Sequence, residues 1–407
     1  MTNSPRYDLY GPAFKANPYP TYAAMREQEP VCYHLGLDGE HEIWFITRYA
    51  DAEAVLRDHK RFVKNYRTTL TTEQRQQLPP DPQLVRMLDQ HMLNADGADH
   101  TRLRSLINKA FTAQMVNRMQ SRVQAIADSL IDRVQEQGAM NLIDDYAFPL
   151  PIVVIAELLG VPASDQDRFR VWSDAFLTPS FTPEGWAKTE QLMLAFTGYL
   201  GQVFAARRAQ PKDDLISALI QAEEAGEKLS EEELYAMVIL LIVAGHETTV
   251  NLIGNATLAL LQNPDQLAQL KNNPALMPAA IEEFLRYDGP VERATMRFAA
   301  EDVELGGQLI RRGQPVNVVL AGTGRDPAQF ANPDQLDLTR ENNRHLGFGF
   351  GVHYCVGAPL ARMEGRIALD TLLRRLPNLR LAVPVDTLEW RVTPIIRGAQ
   401  GLPVAWD

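Results

Sequence analysis

Apolar positions along the chain fall into two kinds of pattern. From Ser230 onward they crowd together and continue to about Leu261, and Asn263-Pro264 then stops them. The run opens on Ser-Glu-Glu-Glu, which has the form of a capping box with Ser230 as N-cap and Glu233 at the third helical position. This predicts one helix over 230–261, roughly 45 Å long at the helical rise. Helical spacing also fills 100–158 and, with breaks at Pro179 and Pro183, 164–208. A short helix is expected over 278–287. A strongly amphipathic one follows from Pro359, in "PLARMEGRIALDTLLRRL".

Strand signals are confined to two places. Residues 31–49 read as a hairpin with Asp38-Gly39 at its turn, and 302–320 as another turning at Gly306-Gly307. Residues 64–90 are polar, carry prolines and show no period, so a long loop is expected there. The fold class is thus mainly α with small, separated β-sheets (α+β). Strands and helices do not alternate, which disfavours a doubly wound sheet. There is no internal repeat.

The chain has 407 residues, 45% of them hydrophobic, enough for one large domain or two medium ones. A net charge of −11 argues against nucleic acid as a main partner. Two cysteines, Cys32 and Cys355, cannot build a disulfide framework and suit a reducing compartment. The N-terminal residues contain no apolar signal-type segment. The longest unbroken apolar run, 236–244, is too short to cross a bilayer. A soluble cytoplasmic protein, with no membrane contact, is expected.

Candidate chemistry concentrates in three stretches. Cys355 lies in "HLGFGFGVHYCVG", 345–357, where Gly347, Gly349, Gly351 and Gly357 let backbone approach something flat or large. A glycine loop leading into a helix aims N–H groups at the sulfur and favours thiolate. A thiolate can serve as nucleophile, zinc ligand or haem ligand. A nucleophile would need a placed base, and His353 two residues away is not placed by that spacing. Zinc would need further Cys or His, and no Cys-x-x-Cys is present. The glycines also lack the spacing of a dinucleotide loop. The second stretch is "AGHETT", 244–249, within the long apolar helix. Gly245 invites distortion there, and Glu247 and Thr248 place an acid and an alcohol in apolar surroundings. A zinc His-Glu-x-x-His motif fails because Val250 stands where the second histidine belongs. Proton delivery suits the pair better than packing does. Third, His100 and Arg104 share one helical face, Glu283 and Arg286 lie three apart on another helix, and Arg297 precedes the second hairpin. Each of these is ordinary taken alone.

Their order is not ordinary. His-x-x-x-Arg, Ala-Gly-x-Glu-Thr-Thr, Glu-x-x-Arg, an Arg before a hairpin, then Phe-Gly-x-Gly-x-His-x-Cys-x-Gly resembles the cytochrome P-450 superfamily of haem–thiolate monooxygenases. The resemblance runs from 17–26 to 397–406, and the motif at 348–357 is its most specific part. The chain looks most like the soluble bacterial three-component type. The resemblance implies a single P-450 domain over 1–407, with the long central helix crossing a haem b. Cys355 would be the iron ligand, and Phe348, Gly357 and Ala244 would lie against the haem. His100, Arg104, Arg297 and His353 would pair with its propionates. Glu283, Arg286 and Arg340 would form a buried structural triad.

Glu247 and Thr248 would relay protons to dioxygen, with Gly245 opening the helix. Fatty-acid peroxygenases of the superfamily carry Arg-Pro in place of the acid–alcohol pair, which this chain keeps. Oxygen-dependent hydroxylation or epoxidation is therefore implied, with electrons from NAD(P)H by way of a reductase and a ferredoxin. A haem-binding protein without oxygenation, or a haem–thiolate isomerase or dehydratase, is the alternative. Leu240, Val243, Ala294, Ile395 and Ile396 would line a pocket for a hydrophobic small molecule, and parts of 64–95 and 165–195 would cover it. Arg293 would join the pocket and, turned inward, could hold a substrate carboxylate. Arg102, Lys109, Arg344, Arg362 and Arg366 would give a basic docking face for the acidic ferredoxin on the Cys355 side, and the protein would be a monomer. The loop "AGTGRDP", 321–327, departs from the more usual "AANRDP" form.

Overall fold

The structure is a computed structural model that describes residues 7–162, 165–177, 182–224 and 229–407. Helices dominate it. In chain order they are α1 (Pro12–Ala16), α2 (Tyr19–Gln28), α3 (Tyr49–Arg57), α4 (Thr72–Gln77), α5 (Gln83–Asp89) and α6 (Gly97–Ala110). Then come α7 (Ala113–Val134), α8 (Pro149–Leu159), α9 (Gln166–Leu177), α10 (Pro183–Ala209) and α11 (Leu215–Glu224). The rest are α12 (Glu231–Gln262), α13 (Pro264–Asn272), α14 (Met277–Asp288), α15 (Leu320–Thr323) and α16 (Ala358–Arg375). The strands are β1 (Val31–Leu35), β2 (Glu42–Ile46), β3 (Phe62–Val63), β4 (Ala139–Asn141), β5 (Arg297–Ala299), β6 (Val303–Leu305), β7 (Gln308–Ile310), β8 (Pro315–Val318), β9 (Arg380–Leu381) and β10 (Pro403–Ala405).

The chain divides into two compact units. The first, residues 1–69, 124–148 and 248–407, holds every strand found among the described residues. Its main sheet has the order β1-β2-β8-β5-β3. β1 and β2 form the expected hairpin, with Val31 opposite Ile46. The expected 302–320 hairpin needs correction. β6 and β7 do turn at Gly306-Gly307, but β8 leaves them to pair in parallel with β2. Val31, Ile46, Val55, Phe62, Val316 and Val318 build the core against this sheet. A second core joins α14 and α16 through Ile281, Phe284, Leu285, Leu369 and Leu373.

The second unit, 70–123 and 149–247, is helical. α9 and α10 meet through an aromatic cluster in which Trp172 stacks on Phe196 at 4.6 Å and 11°. Arg122 on α7 grips Glu157 on α8 with two donors, Nη2 at 2.6 Å and Nε at 2.9 Å. α10 starts where Pro183 interrupts the pattern. Thr182 caps it by accepting from the Gly185 N–H, and proline costs nothing at a first-turn position. The other expected break, Pro179, lies outside the described residues. The long loop expected over 64–90 is instead a short 3-10 turn, Tyr66–Thr69, followed by α4 and α5.

α12 carries residues of both units and starts as the sequence indicates. Glu233 N–H donates to Ser230 Oγ at 3.1 Å, and Ser230 N–H donates to Glu233 Oε2 at 2.8 Å. Three glutamates in its first turn complement the helix dipole. α12 is long and apolar enough to cross a membrane, but 83% of its most apolar window is buried inside the protein. It is a core helix.

Candidate active site

Gly349 and Gly351 both take positive φ, 73° and 74°. A Cβ on Gly351 would also come 2.7 Å from the Leu56 carbonyl oxygen at the end of α3, so the loop before Cys355 closes in a way only glycine allows. The Cys355 N–H donates to the Phe348 carbonyl at 3.0 Å and ties the loop shut. The chain then enters α16, with Gly357 at its N-cap. Cys355 is half-buried, in no disulfide, three residues before the first helical residue. The open N–H groups and positive dipole end of α16 favour its thiolate. Among the described residues no group of three or more His, Cys, Asp or Glu is arranged to hold a metal ion. Zinc-type coordination is therefore not built here. A single thiolate in a glycine loop at a helix start fits a ligand that would hold a haem iron.

Phe348 is held from one side by Arg362, whose guanidinium carbon lies 4.5 Å from the ring centroid. Arg362 is fixed in turn by Glu282, at 2.6 Å from Nε and 2.8 Å from Nη2. His345 Nε2 lies 3.0 Å from the same carboxylate, while its Nδ1 accepts the Gly347 N–H at 3.0 Å. With Nδ1 an acceptor, the proton of His345 sits on Nε2. Arg362, expected on the docking face, is thus paired within the fold while its side chain stays partly exposed. Arg102 is likewise engaged, at 2.5 and 3.2 Å from Glu233. Arg344 is exposed and Arg366 half-buried.

On α12, Ala244 is exposed and Gly245 and Thr248 are half-exposed, although Ile242, Val243, His246, Glu247, Thr249 and Val250 are buried. The helix thus bares a stripe of small side chains that suits a large planar group. α12 runs through Gly245 as one continuous helix. A Cβ there would lie 3.0 Å from Ile155 Cδ1, so the glycine admits α8 at close range. Glu247 is buried beside His246, which has no role in the sequence reading. His246 Nδ1 is 2.7 Å from the Ile242 carbonyl, which makes Nδ1 the donor. Its Nε2 then faces Glu247 Oε1 at 3.4 Å.

The remaining candidates are distributed as follows. His100 is buried and Arg104 half-buried on α6. Arg297 is buried on β5 opposite Val316, and His353 is half-buried in the turn before Cys355. Buried Lys64, overlooked in the sequence as part of a polar stretch, donates to Thr295 Oγ1 at 2.7 Å, close in sequence to Arg297. Leu240 and Val243 are buried on α12, and Ala294 is buried between strands. Ile396 is buried and Ile395 half-buried in the C-terminal turn.

Arg293 does not join them. It is 1% exposed, donates to Tyr22 Oη at 3.0 Å and the Leu9 carbonyl at 2.9 Å, and lies 4.8 Å from the Tyr10 ring centroid. An arginine stacked and bonded in this way holds the N-terminal segment, not a substrate acid.

Glu283, Arg286 and Arg340 come together. Arg286 makes two 2.7 Å bonds to Glu283, and Arg340 Nε reaches it at 3.1 Å. Arg286 also donates to the Gly324 carbonyl at 2.7 Å. A Cβ on Gly324 would stand 2.2 Å from the Arg286 carbonyl oxygen, which accounts for the glycine in the unusual "AGTGRDP" loop.

The cytochrome P450 family model matches residues 22–158 and 165–379. The chain belongs to the cytochrome P450 family. It is 46% identical over 397 residues to a cytochrome P450 of Bacillus subtilis (strain 168), covering 97% of this chain and 95% of that one. It is 44% identical over 399 residues to the cytochrome P450 monooxygenase PikC of Streptomyces venezuelae, covering 97% and 92%. Its structure matches a myxobacterial cytochrome P450, CYP267B1, solved with myristic acid, with a TM-score of 0.92, 43% identity and 98% of both chains covered. This P450 binds haem b and is a monooxygenase that inserts one oxygen atom from O2 into a small hydrophobic substrate.

Proposed function

We propose that this P450 is a cytoplasmic, monomeric haem–thiolate hydroxylase or epoxidase whose whole chain acts as one haem domain and takes electrons from a small acidic ferredoxin. The observation that carries the reading is the glycine-closed loop that delivers Cys355 to the start of α16. When bound, haem supplies oxygen activation and transfer. Cys355 would ligate it, Phe348, Gly357 and Ala244 would lie against it, and His100, Arg104, Arg297 and His353 would neutralise its propionates through charge-assisted bonds.

Glu247 and Thr248 would hold and pass protons toward the oxygen site, from the carboxyl oxygen of one to the hydroxyl of the other. The burial of Glu247 next to the partly bared Thr248 supports this. The substrate would lie against Leu240, Val243, Ala294, Ile395 and Ile396. These are aliphatic, which favours hydrocarbon over charged groups. The myristic acid held by CYP267B1 makes long acyl compounds sensible first probes. Exposed Lys109 and Arg344, together with Arg102, Arg362 and Arg366, would form the docking face for the donor.

The test is an assay driven by NADPH, ferredoxin reductase and ferredoxin. Thr248→Ala should still consume NADPH but pass most of its electrons to O2, released as hydrogen peroxide. A Thr248→Ala enzyme that stays fully coupled would remove the relay. Failure of ferredoxin to reduce the parent enzyme would remove the donor.

A further inference from the structure

Lys15 is almost wholly buried, at 1% exposure, on the short helix α1. Its ammonium donates to Glu292 Oε2 at 2.8 Å and to the Thr393 carbonyl at 2.8 Å. Its own carbonyl accepts from Arg397 Nη1 at 2.6 Å. One residue of α1 therefore grips both ends of the turn 393–397. The middle of that turn is fixed by Glu292 as well, whose backbone N–H donates to the Ile395 carbonyl at 2.8 Å. Thr393 Oγ1 accepts the Ile396 N–H at 2.8 Å, and Asn255 of α12 donates to the Arg397 carbonyl at 3.1 Å. Glu292 is itself held by Tyr22 Oη at 2.6 Å and by Arg293 at 3.1 Å.

Burying an ammonium is costly, and a turn needs few such bonds to be merely stable. Here the burial yields a defined position for two half-exposed residues, Pro394 and Ile395, between the buried Thr393 and Ile396, and of the two Ile395 carries the long aliphatic side chain.

We infer that Lys15, although it touches no substrate, is a positioning residue that determines specificity by holding the Thr393–Arg397 turn so that Ile395 presents a fixed wall to the substrate. The inference rests on the reading that this turn lines the pocket. Misplacement of such a wall by a fraction of an ångström alters how bulky ligands fit and leaves small ones unaffected.

The test uses haem-loaded enzyme and two iron-binding probes, imidazole and 1-dodecylimidazole, titrated by their absorbance shift. Lys15→Met should keep the parent's reduced carbon monoxide spectrum and bind imidazole within about twofold of the parent, while its affinity for 1-dodecylimidazole changes by about fivefold or more. Hydrogen exchange at the Ile396 and Arg397 amides should speed up by about tenfold. If both probes keep their affinities, or change in equal proportion, the inference falls. The double variant Lys15→Met, Glu292→Gln leaves no unpaired charge on Glu292 and serves if the single variant does not load haem. Loss of haem in both would show that the clamp serves folding alone and would also overturn it. Ile395→Ala separates the two claims. If it leaves 1-dodecylimidazole unaffected, the turn does not line the pocket; if it weakens that probe while Lys15→Met does not, only the clamp fails.

Discussion

Glu282 lies within hydrogen-bond reach of both Arg362 and His345, beside the loop that carries Cys355. Burial by itself would raise its pKa, but the bonds and charges of these two partners hold it down to about 2, against an ordinary value of 4.5. Between those two values the unfolded chain binds the proton and the folded chain does not. The group therefore contributes stability above pH 4.5 and loses it as pH falls toward 2. Glu282→Gln should flatten the acid side of the stability profile, so that its thermal midpoint falls less than the parent's between pH 5 and pH 3. Equal slopes would contradict the pairing. The Glu-x-x-Arg spacing marks Glu283, which anchors a buried arginine pair, but nothing in the sequence marks its neighbour Glu282, which braces the Cys355 loop. Arg293 shows the same blindness from the other side. Its neighbours Tyr10, Tyr22 and Phe45 lie hundreds of residues away along the chain, so no local pattern could tell a fold residue from a pocket residue. Glu364 reads as one more charge on an amphipathic helix, but it is enclosed, and burial pushes its carboxyl well above the usual range.

Elements with an apolar stripe were legible, and those without one were not. α12 and α16 bury long faces and announce themselves by period and caps. α4 and α5 bury no residue at all, so 64–90 offered no period to read. The local signal there is the Thr71 and Gln74 capping box. β8 was legible as a strand but not in its pairing, because its partner β2 stands some 270 positions earlier and parallel register leaves no turn to detect. The Cys355 loop was legible for the opposite reason, since its glycines are dictated by backbone geometry. Gly351→Ala should therefore be disproportionately harmful for an exposed position. It pairs a left-handed backbone with contact against Leu56, and a loss of about 2 kcal/mol or more is expected, read as a lower thermal midpoint and faster haem loss. Unchanged haem retention would show that the loop can relax away from α3.

At the scale of the whole molecule, buried ion pairs join segments that are far apart in sequence. Lys15 meets Glu292, and Arg397 meets Asp288 and the carbonyl of Lys15, so the N-terminal helix and the C-terminal turn are locked to one another. Breaking one partner of such a set costs more than the set contributes to net stability, which makes it a device for position more than for stability. The family, the haem and the reaction follow from sequence order, fold and relatives together. The account turns on Cys355 as the thiolate ligand, and the reduced carbon monoxide spectrum tests that most directly. The freshly prepared enzyme should show the strongly red-shifted Soret band of a thiolate-ligated haem, and Cys355→His should bind haem without it. A parent enzyme that lacks the band, or a Cys355→His variant that keeps it, would contradict the account.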